Sequence, residues 1–215
     1  MLKLFELAPL IIGKPIKSIN INKMKLELKR ALLHLAICIA IIAISMKTRI
    51  VWPLFYILIA GLILSLISLK YKIPIISFFL KNFERQANMK TFPGKGALFL
   101  IAGCLLALKL FPDNIAFASI AILAFGDTTS RLISGNINKK LIKNKNIFGV
   151  LLGIIISSAA ASFFVGLLFA FIASAIALIA EILIIKLGED PVDDNTIVPL
   201  IAGTVLYLMI NFIAL

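Results

Sequence analysis

Charge, cysteine and histidine are all scarce in this sequence of 215 residues. Only 15% of the residues are charged, against about 25% in a soluble domain, so a conventional water-soluble fold is excluded at the outset. The two cysteines, Cys38 and Cys104, each sit inside an apolar run and read as small core hydrophobes, which excludes a disulfide framework. With one histidine, His34, and no CxxC, a structural zinc site lacks ligands. No GxxxxGK followed by Ser or Thr occurs, which removes a P-loop. The absence of Gly-x-y and heptad repeats removes collagen and coiled coil. What the chain has instead is apolar length. It is 61% hydrophobic with a mean hydropathy of +1.09, the composition of a membrane protein.

A spanning helix needs about 20 predominantly apolar residues. Residues 31–46, 50–69, 96–112 and 114–133 qualify as four candidates. Residues 146–180 carry no charge, and as one helix they would run about 52 Å, enough for two spans. A bend at Gly166 gives spans near 147–165 and 168–187, and 196–215 completes the set. The expected fold is an all-α membrane bundle of about seven spans, within a range of six to eight. Residues 1–30 alternate apolar and basic with no uninterrupted apolar core, so no secretory signal peptide is expected. Leu4, Phe5, Leu7 and Ile11 suit an amphipathic lead-in. Residues 1–26 are therefore read as interfacial, ahead of a single transmembrane domain at 27–215.

The net charge of +12 raises nucleic acid as a partner, but the basic residues lie between apolar runs, and no soluble basic domain remains to bind it. Alternate connections carry 19 and 3 of the 22 Lys and Arg residues. The positive-inside rule then places the richer set, and the N-terminus, in the cytoplasm. The same side receives nine of ten acidic residues, although the rule does not require it. His34 and the loop glycines Gly94, Gly96, Gly126 and Gly135 fall there too. A transporter usually places polar groups near the bilayer midplane. An enzyme taking a soluble substrate from the cytosol and a lipid from the membrane has this one-sided pattern.

Several groups carry candidate chemistry. Gly126-Asp127-Thr128-Thr129-Ser130-Arg131 ends the fourth span, and helical spacing puts Asp127 and Arg131 on one face. A carboxylate beside hydroxyls and an arginine suits a Mg²⁺-nucleotide; an ion pair capping a helix end is the plainer alternative. Gly135, Lys139, Lys140, Lys143, Lys145 and Gly149 suit a triphosphate, or are ordinary positive-inside lysines. Pro93-Gly94-Lys95-Gly96 is a turn whose amides fit phosphate or simply join two helices. Glu181 lies inside an apolar helix, where an unpaired charge is costly, so its partner must come from another helix. It precedes Asp193-Asp194-Asn195, and together these suit a divalent metal or a general base. Glu27, Arg30 and His34 are spaced i, i+3, i+7 on one face, either a clamp for phosphate or a lipid headgroup, or interfacial charge with a buried histidine. Asn82-Phe83-Glu84-Arg85 has no chemistry legible from spacing.

Taken in order, these pieces resemble the dolichol kinase, phytol kinase and CTP-dependent diacylglycerol kinase family of polytopic membrane enzymes. The resemblance rests on Glu27-x-x-Arg30-x-x-x-His34, Asn82-Phe83-Glu84-Arg85 with Pro93-Gly94-Lys95-Gly96-Ala97, Gly126-Asp127-Thr128 with Gly135, Lys145 before Gly149, Glu181, and Asp194-Asn195 before Pro199. It covers roughly residues 27–215. It implies a cytoplasmic CTP-dependent phosphorylation of a lipid alcohol, with Asp127, Lys145, Glu181, Asp194 and Asn195 in the CTP–metal site. In that reading Asp127 and Glu181 are catalytic and Asp127 and Asp194 hold Mg²⁺. Gly126, Thr128, Arg131, Gly135, Lys145, Gly149 and Asn195 bind nucleotide, and Arg30, His34 and Lys95 meet phosphate or lipid headgroup. Two positions depart from the family pattern: Phe148 stands where a Glu is common, and Ala31 follows Arg30 where a Lys is common. The family is distantly similar to phosphatidate cytidylyltransferases and CDP-archaeol synthases, so a cytidylyltransferase is the alternative reaction. A non-enzymatic transporter or scaffold is the alternative of another class.

Overall fold

The computed structural model describes residues 21–48, 50–71, 73–84, 89, 91–136, 146–183 and 193–212. Lys139, Lys140, Lys143, Lys145, Arg85 and the N-terminal residues 1–20 lie outside the described residues, as does the connection 184–192. Eight helices make up the described chain: α1 (Ile21–Ser45), α2 (Val51–Lys70), α3 (Pro74–Phe83), α4 (Lys95–Leu110), α5 (Asp113–Asn136), α6 (Ile147–Ala161), α7 (Leu167–Leu183) and α8 (Asp194–Phe212). The protein is all-α, as expected.

Four stretches are long and apolar enough to cross a membrane: Leu26–Ser45, Val51–Lys70, Asp113–Ile133 and Asp194–Phe212. The protein is accordingly a multi-pass membrane protein. Two further apolar helices, α6 and α7, are shorter, with 15 and 17 residues. They reach about 22 and 26 Å, below a hydrocarbon core of about 30 Å. The bend expected at Gly166 is present, because α6 ends at Ala161 and α7 begins at Leu167. The stop comes earlier than the apolar composition implies, since residues 162–164 form a turn in which Phe164 and Val165 bond back to the Ala161 carbonyl.

Local chemistry explains the helix starts. Pro74 occupies the first turn of α3, where its missing N–H costs nothing. The Asn146 side chain caps α6 by accepting from the Phe148 N–H at 3.0 Å. Gly94 precedes α4 with φ of 78°, a left-handed conformation that glycine adopts without strain. The turn is anchored by Ser65 of α2, whose hydroxyl donates to the Pro93 carbonyl at 2.6 Å.

Helix α5 forms the axis of the bundle, packed by α1, α4, α6, α7 and α8. Its residues 115–124 are buried on every side. Small residues make that possible. Ala116, Ala118, Ser119, Ala121 and Ala124 of α5 face a core that also takes Ala170, Ala173 and Ala177 of α7. Gly153 of α6 lies against the Gly126 carbonyl, where an added Cβ would come within 2.9 Å. On α8, Pro199 lacks the N–H that would bond the Asn195 carbonyl, and that carbonyl sits over Gly103 of α4, where any side chain would collide.

Candidate functional site

Helix ends converge at one end of the bundle. The last turns of α5 bring Asp127, Thr128 and Arg131, the end of α7 brings Glu181, and the start of α8 brings Asp194 and Asn195. One ligand oxygen from each of Asp127, Glu181 and Asp194 lies within 4.8 Å of the others. Asp127 and Glu181 are buried, with residue exposures of 1% and 5%. Three carboxylate oxygens brought this close are the kind of donors that a hard divalent cation takes.

Arg131 ties the cluster together. Its Nε donates to Asp127 Oδ1 at 2.7 Å and its Nη2 to Asp194 Oδ2 at 3.3 Å, linking α5 to α8. The expected i, i+4 pair is therefore present, and it extends to a second helix. His34 of α1 approaches from the other side, with Nδ1 at 3.9 Å from Asp127 Oδ2. The Thr128 hydroxyl donates to the Ala31 carbonyl of α1 at 3.4 Å. Asn195 donates from Nδ2 to the Gly96 carbonyl of α4 at 3.3 Å, and Thr196 donates to the Phe99 carbonyl at 3.1 Å. Asp193 caps α8 by accepting from the Asn195 N–H at 3.1 Å. Burial, and then the neighbouring Asp194, push the Asp193 carboxyl up to about 6.

Beside the acid cluster is a cleft of about 180 Å³ between α1, α3 and α4. Its polar lining comes from Arg30, His34, Glu84, Arg131 and Asn195. The rest is apolar, lined by Leu33, Ile37, Phe79, Leu80, Phe83 and Leu100. Arg30 also pairs with Glu27 at 3.2 Å, so the i, i+3, i+7 face of α1 does point as one unit, with Arg30 and His34 in the cleft. Phe83 and Glu84, which spacing alone left without chemistry, line the same cleft, and Glu84 is buried.

The other expected residues lie as follows. Gly126 is buried against Leu178 of α7, 3.0 Å from where a Cβ would stand, so its visible task is close helix packing. Gly149 is buried in the first turn of α6, and Gly135 is in the last turn of α5. Lys95 opens α4 with its Nζ 5.7 Å from the Phe99 ring centroid. Lys145 lies outside the described residues. Phe148 is 65% exposed on α6, and Ala31 is buried, its carbonyl accepting from the Thr128 hydroxyl.

Comparison with known proteins gives one relative over nearly the whole length. An uncharacterized protein of Methanocaldococcus jannaschii, MJ1137, is 30% identical over 194 residues, covering 88% of this chain and 97% of that protein. The chain belongs to the family of this archaeal protein. A second relative, CTP-dependent diacylglycerol kinase 1 of Schizosaccharomyces pombe, is 36% identical over 59 residues, or 26% of this chain and 27% of that kinase. No family model matches the chain, and no solved structure matches it.

Proposed function

We propose that this protein is an integral-membrane kinase that transfers the γ-phosphate of CTP to a lipid alcohol: a polyprenol or dolichol, another isoprenoid alcohol, or diacylglycerol. One observation carries the reading: three carboxylates from three helix ends meet beside a cleft lined by both charged and apolar side chains. The partial similarity to a CTP-dependent diacylglycerol kinase supports it. The loop-by-loop lysine and arginine bias supports a cytoplasmic site, with the seven apolar helices other than α3 crossing the bilayer.

Asp127 and Asp194 are the residues to hold Mg²⁺, which when bound neutralises the triphosphate and screens charge developing in transfer. Arg131 releases a share of its hydrogen bonding to phosphate oxygens, for which its forked donors are suited. Thr128, Gly135, Lys145 and Gly149 complete the nucleotide side, Asn195 stands where that side meets the cleft, and Gly126 holds the helices that carry it. The lipid hydroxyl oxygen forms a bond to the γ-phosphorus, the bridging bond to the β-phosphate breaks, and CDP leaves. The hydroxyl proton passes to a carboxylate, Asp127 or Glu181.

Purified protein in lipid nanodiscs, given CTP and Mg²⁺ with a prenol or diacylglycerol, should move label from γ-labelled CTP to the lipid and leave α-label in CDP. Transfer of α-label with pyrophosphate release would instead assign a cytidylyltransferase.

A further inference from the structure

Two buried polar side chains of the cleft have unmet hydrogen-bonding capacity. His34 is 7% exposed and Asn195 5%, and both line the cleft. Asp127 Oδ2 lies 3.9 Å from the His34 ring, and neither ring nitrogen, nor Asn195 Oδ1, makes a hydrogen bond of normal geometry. Burying such atoms without partners costs free energy that a bound hydroxyl would recover. The same cleft is lined by apolar side chains, Leu33 and Ile37 from α1 and Phe79, Leu80 and Phe83 from α3, with Arg30 of α1 and Glu84 at the end of α3 as further charged members. Phe79 is both part of that wall and 53% exposed, so the apolar side of the cleft opens at the protein surface.

From this arrangement, and resting on the kinase reading above, we infer that the cleft between α1 and α3 is the acceptor site: His34 and Asn195 hold the lipid hydroxyl, and α3 lines the path of its chain. A hydroxyl at His34 lies next to the carboxylate of Asp127, 3.9 Å from the ring, and the hydrocarbon attached to it has Leu33, Ile37, Phe79, Leu80 and Phe83 to pack against. At about 180 Å³ the cleft is smaller than the roughly 300–1,000 Å³ that encloses a whole drug-sized ligand. It takes the head and first carbons of a lipid, and the remaining tail leaves past Phe79 into the bilayer. His34 and Asn195 are positioning residues here. They supply hydrogen bonds to the hydroxyl and leave its proton to the carboxylates.

The test begins without catalysis. A prenol and a diacylglycerol, each carrying a diazirine close to the hydroxyl, are photolysed with the wild-type protein in nanodiscs, and the labelled peptides are mapped. Label on Leu33, Leu80 or Phe83 is expected; label confined to α2 or to α6 and α7 overturns the inference. Kinetics give the second arm. Leu80→Trp, which fills the wall, should raise the lipid KM about tenfold, the size of one lost buried contact, with the CTP KM unchanged. His34→Ala should lower kcat/KM for the lipid about tenfold, and His34→Gln, which keeps a hydrogen-bonding group, should recover part of it. Phe78→Ala, exposed on the outer side of α3, should leave both parameters unchanged. An unchanged lipid KM in Leu80→Trp, or a change in the CTP KM alone, overturns the inference. If no phosphate is transferred yet the photolabel maps to the cleft, the acceptor site stands and the kinase reading falls.

Discussion

Helices α2 and α5 are both long enough to span a bilayer, and they behave as opposites. Of the four long apolar helices, α2 is the most hydrophobic and the least buried, with 11% of its span inside the protein. Helix α5 is the least hydrophobic and the most buried, at 78%. In a water-soluble protein that order would be reversed, because apolar residues are driven away from water. In a bilayer the lipid tails are as apolar as leucine, so strong hydrophobicity marks the surface. Small and polar residues mark the interior, where backbones approach and hydrogen bonds are made. Helix α2 turns Trp52, Tyr56, Ile63 and Leu66 outward and touches the bundle chiefly through α4. Helix α5 spends its alanines on close packing and its last turns on Asp127, Thr128 and Arg131.

That contrast can be sharpened or broken by substitution. The largest effect belongs to α5: Asp127→Asn should lower CTP-dependent transfer at least about a hundredfold, as loss of one preorganised electrostatic group does, with the protein level in the membrane preserved. Label transfer from γ-labelled CTP measures it, and retained activity would remove Asp127 from the chemistry. Next comes a charge on the opposite helix. Ile63→Lys, mid-helix on the outward face of α2, should cost about 2.5–3.5 kcal/mol in insertion, read as lost membrane integration. Normal integration would mean that this face is not against lipid. Gly153→Leu should destabilise by about 1–3 kcal/mol, because the side chain must enter the contact between α6 and the Gly126 carbonyl; melting in detergent reads the loss. Smallest is Leu66→Ala on α2, expected within about 0.5 kcal/mol of the parent by the same melting measurement.

The sequence exposes what is local and hides what is long-range. Apolar runs mark the helices, and the uncharged stretch too long for one span leads to the break at Gly166. The i, i+4 spacing of Asp127 and Arg131 and the i, i+3, i+7 face of Glu27, Arg30 and His34 are legible because helix geometry alone brings them together. Helix α3 is not legible. Ten residues are too few for a span, and nothing near Phe79 or Phe83 in the chain reveals that they will wall a cleft against α1. The reach of Arg131 to Asp194, 63 residues away, depends on how α5 and α8 pack. The resemblance makes Gly126 a nucleotide-binding residue. In the folded chain Gly126 is pressed against Leu178, a contact that only the α5–α7 packing discloses.

The acid cluster draws one member from each of α5, α7 and α8. During synthesis, then, a chain that has inserted α5 holds Asp127 and Arg131 in the membrane well before Asp194 emerges from the ribosome. Until α8 arrives, the arginine has half of its eventual carboxylate partners, and the geometry of the cluster does not yet exist. Insertion order thus becomes a safeguard: a nascent chain that has not yet received α8 has no assembled three-carboxylate cluster.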